Sequence, residues 1–300
     1  MVKFFRNLFG KKANAPAVDL DIHTVPLSAE QVQSVSVKPM QFQPSQLVSA
    51  CAQSVGKQRE HNEDTLFILN SVLADGAMQV PVGILMIADG MGGHEHGEVA
   101  SSAAVRAAAS YLNTKLISSL IQVDNPNPME TMQELVESAI QSAQAAVISK
   151  APGGGTTLTI VLVVGEQITI GHVGDSRAYF VYPDGRIHPQ TQDHSLVGRL
   201  VELGQLSKEE AANHPQRNVL YRAIGQAESF KPDIKTLQTP HPGFIMLCSD
   251  GLWGVVDENE LFRIINSSPT LAIACNRMVD TANGLGGPDN ISVILAQYLC

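Results

Sequence analysis

The sequence predicts an α+β domain built in layers, with antiparallel strands and helices gathered in pairs. Apolar runs of strand length are joined by short turns rich in Gly, Pro and Asp, as in hairpins. Helical periodicity appears in two paired blocks, near 97–150 and 257–283, rather than between successive strands as a βαβ unit requires. A buried strand running into Asp-Gly also occurs twice, at 84–90 and at 244–251.

Residues 1–12 carry Lys3, Arg6, Lys11 and Lys12 among aromatics and no acid, which allows a weak contact with an anionic membrane surface. This stretch lacks the apolar core of a secretory signal. Residues 13–46 are rich in Pro, Val, Ser and Gln without sustained periodicity. The chain is therefore read as a basic N-terminus and flexible tether, 1–46, followed by a folded domain, 47–300. Strands are expected at 48–55 and 65–69, flanking a charged loop that contains Arg59, Glu60, Glu63 and Asp64. The apolar run 84–88 reads as a strand buried on both faces that stops at Asp89, before the glycines at 90, 92, 93 and 97.

Helices follow at about 97–121 and 130–150, the second with Leu135, Ala139, Ala143 and Ala146 at helical spacing. Short β-type runs then cover 157–164, 167–173, 177–182 and 186–189. Gly165-Glu166 and Pro183-Asp184-Gly185 provide the turns between them. Helical, polar sequence returns at 194–213, with the capping pattern Ser207 to Glu210. Strands near 232–238 and 243–249, helices at 257–267 and 269–283 and a last strand at 290–298 complete the chain.

Of the 300 residues, 44% are hydrophobic and 16% charged, ordinary for a well-cored protein. The net charge is −9, and −9 − 4 = −13 once the basic first twelve residues are set aside. Such an acidic body argues against nucleic acid as a ligand. The four cysteines form no C-x-x-C pair, which leaves reduced thiols and a cytoplasmic location as the expectation. None is followed by arginine six positions later, as a cysteine-nucleophile phosphatase needs. Cys51, Cys248 and Cys275 meet Lys57, Gly254 and Thr281 instead.

Asp64, Asp89, Asp175, Asp250 and Asp289 each stand at a strand end or tight turn beside apolar sequence. If they converge, their charges repel unless cations lie between them. All-oxygen ligands select hard ions such as Mg²⁺ or Mn²⁺. A pair of such ions activates water for in-line attack on phosphorus.

From about 47 to 299, the chain resembles the metal-dependent serine/threonine protein phosphatases, the PPM or type-2C family, in their bacterial single-domain form. The motifs occur in family order: Arg59 to Asp64, Asp89-Gly90-Met91-Gly92-Gly93-His94, Gly155-Thr156-Thr157, Val173 to Arg177, Ser249-Asp250-Gly251 and Gly287 to Asn290. The resemblance implies a four-layer α-β-β-α fold, a central antiparallel β-sandwich flanked by helix pairs, with a flap subdomain at about 193–225. It implies phosphoprotein substrates and a cognate Ser/Thr kinase. It also implies two core Mn²⁺ or Mg²⁺ ions and a weaker third. Asp89 would bridge both core ions, and the Gly90 carbonyl would bind one of them. Asp250 and Asp289 would hold the first, Glu63 and Asp64 would act on the side of the second, and Arg59 would clamp phosphate. Asp175 with Asp250 would offer the third position.

Two features depart from the family pattern. His61, His94 and His96 all lie near the motifs, and spacing does not decide which reaches the leaving oxygen; His94 is the candidate general acid. The aspartate often found four residues after the Ser-Asp-Gly aspartate is Gly254 here, so the third site should be weaker. The rival reading is a catalytically weak or inactive member acting as a metal- or partner-binding regulator.

Overall fold

The computed structural model describes residues 43–300 apart from 76–78, 93–94, 122–129, 208–209, 212–213 and 227–230. The basic N-terminus and nearly all of the expected tether therefore lie outside the described residues, as does His94. The first strand begins at Gln46, one residue before the expected start of the domain.

Two antiparallel sheets form the centre. One runs in the order β1 (Gln46–Ser54), β11 (Ile291–Leu299), β10 (Phe244–Cys248), β7 (Arg177–Val181) and β8 (Ile187–Pro189). The other runs β2 (Asp64–Ala74), β3 (Gln79–Met91), β5 (Leu158–Val164), β6 (Gln167–Val173) and β9 (Asp233–Gln238), with the short β4 (Gly155–Thr156) paired to the end of β3. The helices are α1 (Glu95–Leu112), α2 (Met132–Lys150), α3 (Leu196–Glu202), α4 (Asp250–Trp253), α5 (Glu258–Ser267) and α6 (Leu271–Gly284).

The twofold period of the strands builds the layers. On β3, Leu85 and Ile87 pack with Phe180, Leu247 and Ile294 of the facing sheet. Ile84, Met86 and Ala88 point the other way, into a core shared with Ala104, Leu112, Val136 and Ile140 of α1 and α2. The second sheet repeats the arrangement: Tyr179, Met246 and Val293 pack with Leu261, Ile264, Cys275 and Met278 of α5 and α6. The result is α-β-β-α, as the family resemblance implies. The central strands β3, β5, β10 and β11 are apolar on both sides because each sheet is covered on both sides.

Local differences have local causes. The strand expected at 84–88 extends to Met91, because Gly90 and Met91 pair with β4; Asp89 is thus inside the strand rather than past its end. The helix expected at 97–121 passes through a π turn at Asn113–Ile117 before finishing at Ser118–Ile121. The helix expected at 194–213 is α3 alone, since Gly204 turns with a φ of 67° two residues after it ends. The capping pattern is present: the Ser207 and Glu210 backbone N–H groups donate to each other's side chains. The helical turn α4 was not foreseen.

Candidate metal centre

In an antiparallel sheet the end of one strand lies beside the start of its neighbour. Each aspartate singled out by sequence sits at such a place. Asp64 opens β2 directly opposite Asp89 near the end of β3. Cys248, ending β10, lies opposite Arg177 at the start of β7 and Val293 near the start of β11. Asp250, Asp175 and Asp289 therefore leave the other sheet at one end. Arg59, Glu63, Asp89, Gly90, Asp175, Asp250 and Asp289 line one cleft of about 490 Å³. Asp64 does not line it and is buried behind Asp89. His61 lines the cleft, whereas His96 is exposed on α1 and does not.

Neutral polar groups hold the carboxylates in place. Ser249 Oγ donates to Asp64 Oδ2 at 2.8 Å and accepts from the Ser292 N–H. The Asp89 backbone N–H donates to Thr157 Oγ1 at 2.8 Å, and the Thr157 N–H returns to the Asp89 carbonyl. Asn290 joins the charged loop to β11: its Oδ1 accepts from the Glu63 N–H, and its Nδ2 donates to the carbonyls of Val55 and His61. Gly90 must be glycine, since a Cβ there would overlap the carbonyls of Gly97 and Glu63. Of these supports, Thr157, Ser249 and Asn290 fall within the quoted motifs, but nothing in the sequence assigned them a role, and Ser292 had no signal.

Burial and mutual repulsion push the carboxyls up. Asp64 rises to about 7, through burial and then the charges of Asp250 and Asp289. Asp250 rises to about 6, through burial and then Asp289. Asp89 and Asp175 are raised well above the usual carboxylate range, again chiefly by burial. The Oδ1 atoms of Asp64 and Asp250 are buried without any hydrogen-bond partner. Arg59, whose Nη2 lies 2.7 Å from Asp289 Oδ2, is the one cation paired with these aspartates among the described residues.

Clustered carboxylates with one cation among them and two unpartnered oxygens fit hard dications. Among the described residues, no three Asp, Glu, His or Cys side chains close around a single point. A Mg²⁺-like ion that keeps several waters and takes one or two carboxylates does not need them to.

Asp175 is placed from its other side. Trp253 Nε1 donates to its carbonyl at 3.0 Å, and the Arg177 guanidinium stacks 3.5 Å above the Trp253 ring. The same guanidinium grips Asp193, at the root of the flap, through Nε at 2.9 Å and Nη2 at 2.7 Å. A Cβ at Gly254 would meet the Asp250 carbonyl oxygen at 2.6 Å. Aspartate at this position would therefore shift the backbone carrying Asp250.

A family profile described as protein phosphatase 2C matches residues 54–281. This chain belongs to that family. The type-2C chain is 35% identical over 243 residues to the serine/threonine phosphatase stp of Listeria innocua, covering 81% of this chain and 92% of that protein. It is 34% identical over 246 residues to the protein phosphatase PhpP of Streptococcus pneumoniae, covering 81% and 94%. The crystal structure of the Mycobacterium tuberculosis serine/threonine phosphatase PstP/Ppp superposes with a TM-score of 0.68 at 30% identity, covering 84% of this chain and 98% of that one. A structure of the PstP catalytic domain in complex with two manganese ions matches with the same TM-score at 29% identity, covering 85% and 100%. The family, the layered fold and the enzyme class, a protein-serine/threonine phosphatase, agree with the reading from sequence. Phosphatases of this type use Mn²⁺ or Mg²⁺. Among the described residues, no helix is long and apolar enough to cross a membrane.

Proposed function

We propose that this type-2C phosphatase hydrolyses phosphoserine and phosphothreonine in proteins at a pair of Mn²⁺ or Mg²⁺ ions held among Glu63, Asp64, Asp89, the Gly90 carbonyl, Asp250 and Asp289. The observation that carries the reading is the set of mutually repelling carboxylates at one cleft, lined by Asp89, Asp175, Asp250 and Asp289 with Asp64 buried behind, where the Oδ1 atoms of Asp64 and Asp250 have no partner. The two manganese ions of the mycobacterial relative support it. Bound there, such ions supply a nucleophile from solvent water and neutralise charge on the phosphoryl oxygens.

The chain's own groups do the rest. Asp89 and Asp250 line the same cleft, where both carboxylates would be available to an ion. Arg59 is half-exposed at the rim, and its planar fork suits phosphate once Asp289 is engaged by metal. Asp175 is the proposed carboxylate for a weak third ion. His61 lines the cleft as a candidate proton donor alongside His94. Phosphoprotein substrates presuppose a Ser/Thr kinase acting on the same proteins. Residues 47–300 are the proposed catalytic domain, with 1–46 a tether, in the cytoplasm.

The test follows hydrolysis of a phosphothreonine peptide by the full chain as metal is removed and returned. Activity should vanish in excess chelator and return with Mn²⁺. Full activity in chelator would overturn the two-ion reading. Two ions bound by calorimetry with no turnover would instead favour the non-catalytic regulator.

A further inference from the structure

A second cleft, of about 650 Å³, lies along β9 and the link from β8 into the flap. The flap chain at 218–222 serves both clefts. Asn218 and Leu220 line the metal cleft, while Arg222 lines the second. In a protein of net charge −9, this second cleft is locally basic. Among the described residues its lining carries Arg222, Lys231 and Lys235 against one acid, Asp233. His172, at its base, adds no charge near neutrality, because burial pushes it down to about 3.

The cations are incompletely matched. Arg222 Nη1 donates to Asp233 Oδ1 at 2.8 Å, but among the described residues its Nε and Nη2 have no partner. That edge is the one with which Arg177 holds both oxygens of Asp193. Lys235 is half-buried and its Nζ donates to Gln190 Oε1 at 3.0 Å; no carboxylate lies in ion-pair range of it or of Lys231 among the described residues. A half-buried ammonium held by a neutral amide, beside a vacant guanidinium edge, is the donor set that binds an oxyanion.

We infer that the second cleft binds an anionic group, phosphoryl or carboxylate, on the Nε–Nη2 edge of Arg222 with Lys235 and Lys231. Its occupant is an acidic or phosphorylated residue of the substrate peptide, away from the residue being hydrolysed. This deepens, and rests on, the proposed phosphoprotein activity. A hydrogen-bonded route connects the two clefts. The Gly174 N–H donates to His194 Nδ1 at 3.1 Å, and His194 Nε2 lies 3.2 Å from Asp233 Oδ2 and 3.1 Å from Arg222 Nη1. Asp233 thus joins Arg222 to the residue preceding Asp175.

The test is binding in excess chelator, where turnover plays no part. Fluorescent phosphothreonine peptides, one with flanking glutamates and one with glutamines in their place, are titrated with the full chain and read by anisotropy. Wild type should bind the glutamate peptide about tenfold more tightly. Lys235→Met and Arg222→Gln should each remove most of that preference. Lys235→Met breaks no ion pair among the described residues, so it keeps the test independent of folding. Inorganic phosphate is the second probe. Phosphate binding that depends on Lys235, without any peptide preference, would support the anion site but assign it to the free ion. If neither probe responds to either substitution, the proposal is overturned. Loss of hydrolysis with the preference intact would instead overturn the proposed activity alone.

Discussion

Asp64 and Asp89 face each other across the β2–β3 ladder, a pairing that like charges disfavour. A site built for cations is a strained site without them, and one residue should reveal both effects. Asp89→Asn keeps the side chain's size and removes a carboxyl whose ionised form burial and Asp64 oppose. In chelator the variant should melt at a higher temperature than wild type. In Mn²⁺ its kcat should fall by about 10³-fold, several kcal/mol of transition-state stabilisation. A variant within about tenfold of wild type, or one less stable in chelator, would show that Asp89 does not sit at the metal centre. The carboxylates were legible because each stands at a strand end or tight turn and because the family motifs that contain them occur in order. Their supports were not. Ser249, Ser292 and Asn290 are ordinary polar residues whose roles arise only from contacts across the two sheets.

At the scale of elements, the flap is tied to the sandwich at its root. Arg177 leaves β7 to grip Asp193, the Gly174 N–H holds His194, and Ile224 exchanges backbone hydrogen bonds with Thr156. The Arg177–Asp193 pair is largely buried, with side-chain exposures of 26% and 14%. Breaking it from one side leaves an uncompensated charge. Arg177→Met should cost about 2–3 kcal/mol in a urea unfolding curve. Adding Asp193→Leu should recover much of that loss, since replacing both partners removes the unpaired charge. Losses that simply add would mean the pair holds nothing together. Here the sequence was a partial guide: periodicity marked helical character from 194 onward, while Gly204 and the return of the chain to β9 decided where α3 stops.

For the whole molecule, the raised carboxyls make stability depend on pH in a direction that can be worked out. Asp64, at about 7, and Asp89 and Asp175, raised well above the usual carboxylate range, keep protons in the folded state that the unfolded chain has already lost. Stability therefore falls as pH rises through their folded values. His172 and His194, both lowered chiefly by burial, act oppositely, but only below the ordinary histidine range. Between about pH 6.5 and 7.5, around the Asp64 value and as the histidine contribution fades, the carboxyls dominate. The metal-free protein should lose melting temperature across this window. Mn²⁺ should restore it, most strongly at the alkaline end, because ions bind the ionised form. A metal-free melting temperature that is flat or rising there would refute the electrostatic account.

By itself the sequence determined the layers, the antiparallel strands, the family and the list of carboxylates. These follow from local periods of two and 3.6 and from the motifs and their order along the chain. Tertiary structure alone decided which groups meet. The bond from Ser249 to Asp64 spans 185 residues of sequence and that from Glu63 to Asn290 spans 227, and neither leaves a trace in local pattern. The second cleft has the same origin: Arg222 in the flap and Lys235 on β9 line one cavity. Periodicity reports which face of an element is apolar, whereas strand register and sheet packing decide which polar side chains share a space.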